Sequence, residues 1–294
     1  MEKHKLKECG FEGCFYDNGV DGNKAVILTI VYSGGSFFCK HLAKWLNKNN
    51  IAVIGLTTFG AEGMRHGQER MSLNYVEAAA KWLRKKGYEK IGIMGLSFGA
   101  AYALSAAARV TDISLVISLS GYELVFEGVE NKGFSEWPAG HSAYTWNGKE
   151  LPYQPYYLDR HSFMQTYRDA KKQYGEAMGR AVFEHSLSHT PAAECYIPVE
   201  NICDRVVFIG CRPDTEWDTC NAAVRMKKRM VDNGFKYPID IISYKRGTHL
   251  TLPEVIPCLT ILSMMHSEGR KHRRQCQKVR IDIKNKIEKI LTEW

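Results

Sequence analysis

Short unbroken apolar runs alternate with stretches of helical period along the first 120 residues. Residues 25–32 read AVILTIVY and residues 51–56 read IAVIGL. Runs that are apolar on both faces suit strands buried within a parallel sheet. Between them Phe38, Leu42, Trp45 and Leu46 keep a helical spacing. After Ser72, a candidate N-cap, Leu73, Val76, Ala80 and Leu83 do the same, and Gly87 closes that helix. Further strands are expected at 91–94 and 115–119, with a helix opening after Ser97. Strands separated by helical stretches of about a dozen residues predict βαβ units with right-handed crossovers.

The rhythm breaks after Gly121. Residues 122–198 are rich in aromatic residues, Pro, Gly and His, with a helix expected over 164–184. Strand signals resume at 205–210 (RVVFIG) and 239–244 (IDIISY), with a helix over 221–231 between them and another starting near Pro253. The expected organisation is a core formed by residues 1–121 and 199–268, an insertion over 122–198 that lies as a lid across one end of the sheet, and a C-terminal helix over 269–294.

That last helix changes the reading of the charge. The chain of 294 residues carries a formal net charge of +8, and residues 270–294 supply +6 of it. Val279, Ile283, Ile287 and Ile290 make one apolar stripe along this basic helix, so docking on the body with the basic face in water is expected. No aromatic-interleaved basic motif accompanies it, which argues against nucleic acid as a partner. No run of about 18 apolar residues is present, so no membrane span is expected. The first ten residues are charged and do not read as a signal peptide. Nine scattered cysteines form no CxxC pair, which suits reduced thiols in a cytoplasmic protein and argues against a metal site.

Candidate chemistry centres on Gly95-Leu96-Ser97-Phe98-Gly99, a GxSxG sequence between a strand and a helix. That is the setting of a nucleophile elbow, in which a sharp turn lifts a serine hydroxyl clear of an α/β-hydrolase sheet. The following Ala100, Ala101, Ala103, Ala106 and Ala107 let the helix approach the sheet closely. A serine hydroxyl needs a base and the base an orienting carboxylate, and this fold supplies them in the order Ser, acid, His. Asp214 follows the strand 205–210 and His249 follows the strand 239–244; Asp218 is the rival acid. The remaining histidines, His66, His141, His185 and His189, are candidates for the substrate site. An oxyanion needs two backbone N–H groups. Phe98 is expected to supply one, and Gly34 or Gly35, in the turn Ser33-Gly34-Gly35-Ser36, the other. No GxGxxG or GxxxxGK[ST] sequence is present, so no nucleotide cofactor is expected.

These motifs, with His141-Ser142-Ala143-Tyr144-Thr145-Trp146-Asn147-Gly148-Lys149, Leu151-Pro152-Tyr153, Ile197-Pro198-Val199-Glu200, Trp217 and Gly247-Thr248-His249, resemble the C-terminal catalytic domain shared by acyl-CoA thioester hydrolases and bile acid-CoA:amino acid N-acyltransferases, and more distantly the dienelactone hydrolases. The likeness spans about residues 20–260. It implies the α/β-hydrolase fold, an acyl-CoA substrate, no cofactor, and a triad of Ser97, Asp214 and His249. The amino acid transferases of that family carry cysteine at the position of Ser97, which favours hydrolysis here, and the β-sandwich that precedes the domain in the animal enzymes has no counterpart in the first 20 residues. A thioesterase and a carboxylesterase or small-amide hydrolase use the same machinery; a silent binding protein on the same scaffold is the third reading. Lys40, Lys44, Arg65, Arg70, Lys245 and Arg246 are the cations that could meet CoA phosphates.

Overall fold

Strands that are apolar on both faces need cover on both, and the chain provides it in the order of its elements. The computed structural model describes residues 1–30, 34–132, 135–176 and 178–294. The first half runs β1 (Glu2–His4), α1 (Leu6–Cys9), β2 (Glu12–Tyr16), β3 (Lys24–Thr29), α2 (Phe37–Lys48), β4 (Ala52–Thr57), β5 (Met71–Ser72), α3 (Asn74–Lys85), β6 (Lys90–Leu96), α4 (Phe98–Ala107) and β7 (Ile113–Leu119). The middle holds β8 (Glu127–Lys132), β9 (Ser135–Ser142), β10 (Tyr144–Trp146), β11 (Lys149–Glu150), α5 (Arg160–Tyr174) and α6 (Gly179–Leu187). The chain then continues through β12 (Arg205–Cys211), α7 (Thr219–Asp232), β13 (Ile239–Tyr244), α8 (Leu259–Ser263), α9 (Ser267–Lys271) and α10 (Arg273–Glu293).

The central sheet has the order β1-β2-β4-β3-β6-β7-β12-β13, parallel from β4 onward. Alternate residues of each strand serve two cores. Ile27, Ile54, Ile93 and Phe208 pack against α3, α4 and α7, and Leu28, Val53, Met94 and Ile209 pack against α2 and α10. The C-terminal helix is docked as its stripe implies: Ile283, Ile287, Ile290 and Leu291 are buried, and the Trp294 indole donates to the Ser114 hydroxyl (3.1 Å). Among the described residues no helix is long and apolar enough to cross a membrane.

Four differences from the sequence reading have physical causes. Residues 2–16 add two antiparallel strands at the β4 edge, where Gly13 lets β2 lie against the Gly55 carbonyl. Ser72 does not cap α3; it sits in β5, which pairs with Tyr144 and Thr145, so a long-range backbone ladder takes the residue that a local cap would have used. The helix expected near Pro253 starts at Leu259, after a stretch in which Glu254 meets the buried Arg280 of α10 (2.5 Å). The single helix expected over 164–184 is two, broken after Gly175, whose φ of 75° closes α5.

Residues 122–198 form a two-stranded ribbon (β8, β9), a small ladder in which β10 pairs with β11 and β5, and the two helices. Buried polar side chains brace them. The Glu127 carboxylate accepts the Gly140 and Tyr156 amides (2.6 and 3.0 Å), and the Gln154 amide donates to the Ser186 and His189 carbonyls (3.0 and 3.1 Å). The Ile-Pro-Val-Glu step returns the chain to the core: Glu200 takes a two-pronged ion pair from Arg229 of α7 (2.7 and 2.6 Å).

Candidate active site

The elbow between β6 and α4 is built by exclusion. Ser97 adopts φ 59° and ψ −126°, a conformation costly for a residue with a side chain and held here by its neighbours. A Cβ at Gly95 would collide with the Gly99 carbonyl, and one at Gly99 would collide with the Thr29 carbonyl of β3. Both glycines of the motif are therefore demanded by backbone contact. The Thr29 hydroxyl donates to the Gly99 carbonyl (2.9 Å), so β3 clamps the turn. Phe98 opens α4, and its N–H belongs to the first turn, where a helix leaves its donors unused.

The carboxyl ends of β12 and β13 bring Asp214 and His249 together. His249 Nδ1 lies 2.9 Å from both Asp214 carboxylate oxygens. Both groups are buried. Asp214 Oδ1 also accepts the Glu216 and Trp217 amides (2.9 and 3.4 Å), which fix the plane of the carboxylate. With Nδ1–H directed at Asp214, the other ring nitrogen is left as an acceptor. Burial opposes charge on His249, but Asp214, its hydrogen bond and nearby Glu216 outweigh that, so the imidazole is held above its ordinary pKa of 6.5. Asp218 is elsewhere: its side chain caps α7 by accepting the Asn221 amide (3.4 Å).

Two cavities flank Ser97. One, of about 220 Å³, is lined by Thr29, Ile30, Thr58, Phe59, Met71 and Tyr102 beside Ser97 and Phe98. The other, of about 210 Å³, is shared by Ser97, Phe98 and His249 and walled by Val129, Tyr156, Phe163, Tyr167, Val182 and Phe183 from the 122–198 segment, with Glu216 and Trp217 from the acid loop. Gln68 reaches both.

Among the described residues of the glycine turn, neither Gly34 nor Gly35 lines either cavity. The Gly34 N–H donates to the Thr57 hydroxyl (3.0 Å) and its carbonyl accepts the Tyr16 hydroxyl (3.1 Å). Gly35 lines a separate cavity with Lys3, Lys5, Lys40 and Cys14. The close approach for which Gly34 is needed is to the Gly55 carbonyl of β4, with which a Cβ would collide. Ser33 of that turn and the end of the 25–32 run lie outside the described residues. The other histidines are absent from both linings; His141, for example, lies 2.8 Å from the Arg70 guanidinium. Neither lining contains a lysine or arginine among the described residues; Arg70 pairs with Glu150 (2.6 Å) and Arg246 with Glu268 (3.3 Å).

Sequence reasoning missed Ser120. At the end of β7 it takes φ 47°; its hydroxyl donates to the His249 carbonyl (2.8 Å) and lies 2.9 Å from the Thr251 hydroxyl. Its carbonyl accepts the Trp217 indole (2.7 Å). The one residue thus ties the His249 loop, the Asp214 loop and the wall of the second cavity. A serine directly after a buried strand, on the neighbour of the elbow strand, was the available signal. Glu216 and Gln68 carried none, being ordinary polar residues in loops.

A family model described as BAAT / acyl-CoA thioester hydrolase C terminal matches residues 71–270. The chain belongs to this family. That stretch of the BAAT / acyl-CoA thioester hydrolase domain holds the elbow, Asp214, His249 and the aromatic segment. Among solved structures, the Pyrococcus furiosus esterase Pf2001 is 14% identical with a TM-score of 0.51, over 100% of this chain and 97% of that one. A protein of Klebsiella pneumoniae subsp. pneumoniae MGH 78578 assigned as a dienelactone hydrolase is 10% identical with a TM-score of 0.51, over 93% and 94%. At such identities the likeness is one of fold, and the fold is that of the α/β-hydrolases. No curated protein matches the chain. Family and architecture together make the protein a hydrolase of the esterase and thioesterase type.

Proposed function

We propose that this family member is a serine hydrolase that cleaves acyl thioesters through a triad of Ser97, His249 and Asp214. The observation that carries the reading is the strained elbow of Ser97 in a cavity shared with His249, whose Nδ1 is held 2.9 Å from Asp214. In the proposed reaction His249 takes the Ser97 proton as the hydroxyl oxygen attacks the acyl carbonyl. The Phe98 N–H donates to the oxyanion that forms. Collapse of the tetrahedral intermediate expels the thiol, which takes the proton from His249, and leaves an acyl ester on Ser97. Water, deprotonated by the same imidazole, then releases the acid. Asp214 holds the ring orientation and stabilises the imidazolium at each stage. The segment 122–198 is read as a lid over this chemistry.

Thioester preference rests on family membership, and leaving-group chemistry agrees with it. A thiolate departs with little protonation, whereas an amide would need full proton transfer from His249. A carboxylesterase on the same triad is the second reading, favoured by the absence of lysine and arginine from both linings among the described residues, where CoA phosphates would want them. The test is fluorophosphonate labelling together with hydrolysis of matched thioester, oxyester and amide substrates. The wild type should label once at Ser97 and prefer the thioester; Ser97→Ala should do neither. Labelling that survives the substitution would overturn the nucleophile, and faster cleavage of the oxyester would make the protein a carboxylesterase.

A further inference from the structure

Among the described residues three border both cavities: Ser97, Phe98 and Gln68. The elbow accounts for the first two. Gln68 lies in the loop between β4 and β5, yet its backbone is paired as in a strand. It forms an antiparallel bridge with Val129 of β8, whose N–H donates to the Gln68 carbonyl (3.2 Å). Gly128 permits this approach, since a Cβ there would collide with the Gln68 carbonyl and the Glu69 backbone. The residues that follow are tied in the same way: the Arg70 and Met71 N–H groups donate to the Ser142 and Ala143 carbonyls (both 2.8 Å). Residues opposite one another in an antiparallel pair send their side chains to the same face. Val129 lines the aromatic chamber beside His249, so Gln68 turns its side chain toward that chamber. The carboxamide is neither sealed in the protein nor hydrogen-bonded to another described residue. Its two N–H donors are thus uncommitted, on a braced backbone, where the two cavities meet at Ser97.

An oxyanion is stabilised by donors aimed at the place where its charge develops, and side-chain amides serve as well as backbone N–H groups. The Gly34 N–H is already engaged by the Thr57 hydroxyl (3.0 Å). We infer that the Gln68 side-chain amide is an oxyanion donor, acting with the Phe98 N–H on the same oxygen. The role rests on the proposed hydrolase reading. As the Ser97 oxygen bonds to the acyl carbon, the π pair of the carbonyl moves onto its oxygen and the serine proton moves to His249. The Gln68 N–H then faces a full negative charge where it had faced a carbonyl dipole. A hydrogen bond to an anion is roughly twice as strong as one between neutral groups, so the contact tightens as the barrier is climbed. The leaving group takes no part in it, and thioesters and oxyesters are served alike. Through Val129 and Gly128 the 122–198 segment then contributes to the chemistry itself by holding a donor in place.

The test replaces Gln68 by Met, which keeps the length of the side chain and removes its donors. Fluorophosphonate titration counts the active sites, so an unfolded fraction does not enter the rates. For a matched thioester and oxyester kcat should fall about 100-fold, with KM changed by less than about threefold. A trifluoromethyl ketone carrying the same acyl chain adds the Ser97 oxygen and holds the oxyanion, and its affinity should fall by a similar factor. The matching methyl ketone, which stays trigonal, should bind about as before. Gln68→Glu places a carboxylate against the oxyanion and should be slower than Gln68→Met. A kcat of Gln68→Met within about threefold of the wild type, a rise in KM at unchanged kcat, or equal weakening of the two ketones would each overturn the donor role. If the wild type is active and Ser97→Ala is silent, those results leave the hydrolase reading standing. A wild type that cleaves none of the substrates would remove the hydrolase reading and the donor together.

Discussion

The two sides of the Ser97 cavities are held by different physics. On the sheet side the geometry is fixed by backbone meeting backbone. Gly95 and Gly99 leave no room for a Cβ, β3 clamps the turn through Thr29, and Ser97 is held at φ 59° and ψ −126°. On the 122–198 side the wall is a set of interlocked rings. Phe183 stands 4.7 Å from Trp217, 4.8 Å from Phe126 and 5.8 Å from Tyr156, centroid to centroid. Contacts between peptide groups leave little that can be exchanged without moving the strand. Ring contacts can be changed one side chain at a time. The Ser97 elbow therefore sits on the part of the molecule least free to vary, and the aromatic cavity wall on the part most open to it.

The largest effect should come from breaking the sheet side. Asp214→Asn keeps the volume but offers His249 Nδ1 an amide that can turn a donor toward it, and kcat should fall about 10⁴-fold. Asp218→Ala, four residues away, should leave kcat within a few-fold and lower stability to denaturant by about 1 kcal/mol through the lost cap of α7. The reverse ranking in steady-state rates would transfer the acid role to Asp218.

An intermediate effect is expected on the ring side. Phe183→Ala removes a buried ring from the middle of the cluster and should cost about 3–5 kcal/mol in denaturant unfolding. Cleavage of a small acetyl substrate by the folded variant should nonetheless stay within about tenfold of the wild type, because Phe183 meets the elbow through the Phe98 ring (centroids 6.2 Å apart), while the Ser97 backbone is held by Gly95, Gly99 and Thr29. A loss of catalysis as large as that of Asp214→Asn would mean that the rings position the reacting groups too.

The smallest effect is a shift in pH. A general base works when neutral, so the rate should rise as His249 loses its proton, with a midpoint above 6.5. Glu216 helps hold the proton on, and Glu216→Gln should move the rising limb to lower pH. A limb that moves upward or stays fixed would remove Glu216 from the electrostatic surroundings of the base.

The same contrast explains what could be read from the chain. The runs at β3, β4, β6, β7 and β12 were legible because strands covered on both faces must be apolar throughout, and the elbow because its glycines sit at fixed offsets from Ser97. The meeting of Asp214 and His249 was legible from their order and from their places after β12 and β13. The bond of the Gly34 N–H to Thr57 was not legible, because the same residue suits an oxyanion donor or a close strand contact, and this partner stands on a strand 23 residues on. Ser72 and the first two strands depend on pairing with residues far along the chain, which local propensity does not contain. The partners of the ring cluster lie as far apart in the chain as Phe98 and Trp217, so the aromatic composition announced a wall without its arrangement.

Ser120 sets a rule for anyone who would re-cut this pocket. Because its carbonyl carries the Trp217 indole and its hydroxyl carries the His249 backbone, a new residue at 217 is felt at His249 before any substrate arrives. Changes of taste should start from Phe163 or Val182, which reach the cavity from helices with no hydrogen bond to that hub. A library built at position 217 would sample broken catalysts and altered ones together, and its inactive members would say little about which substrates the chamber refuses.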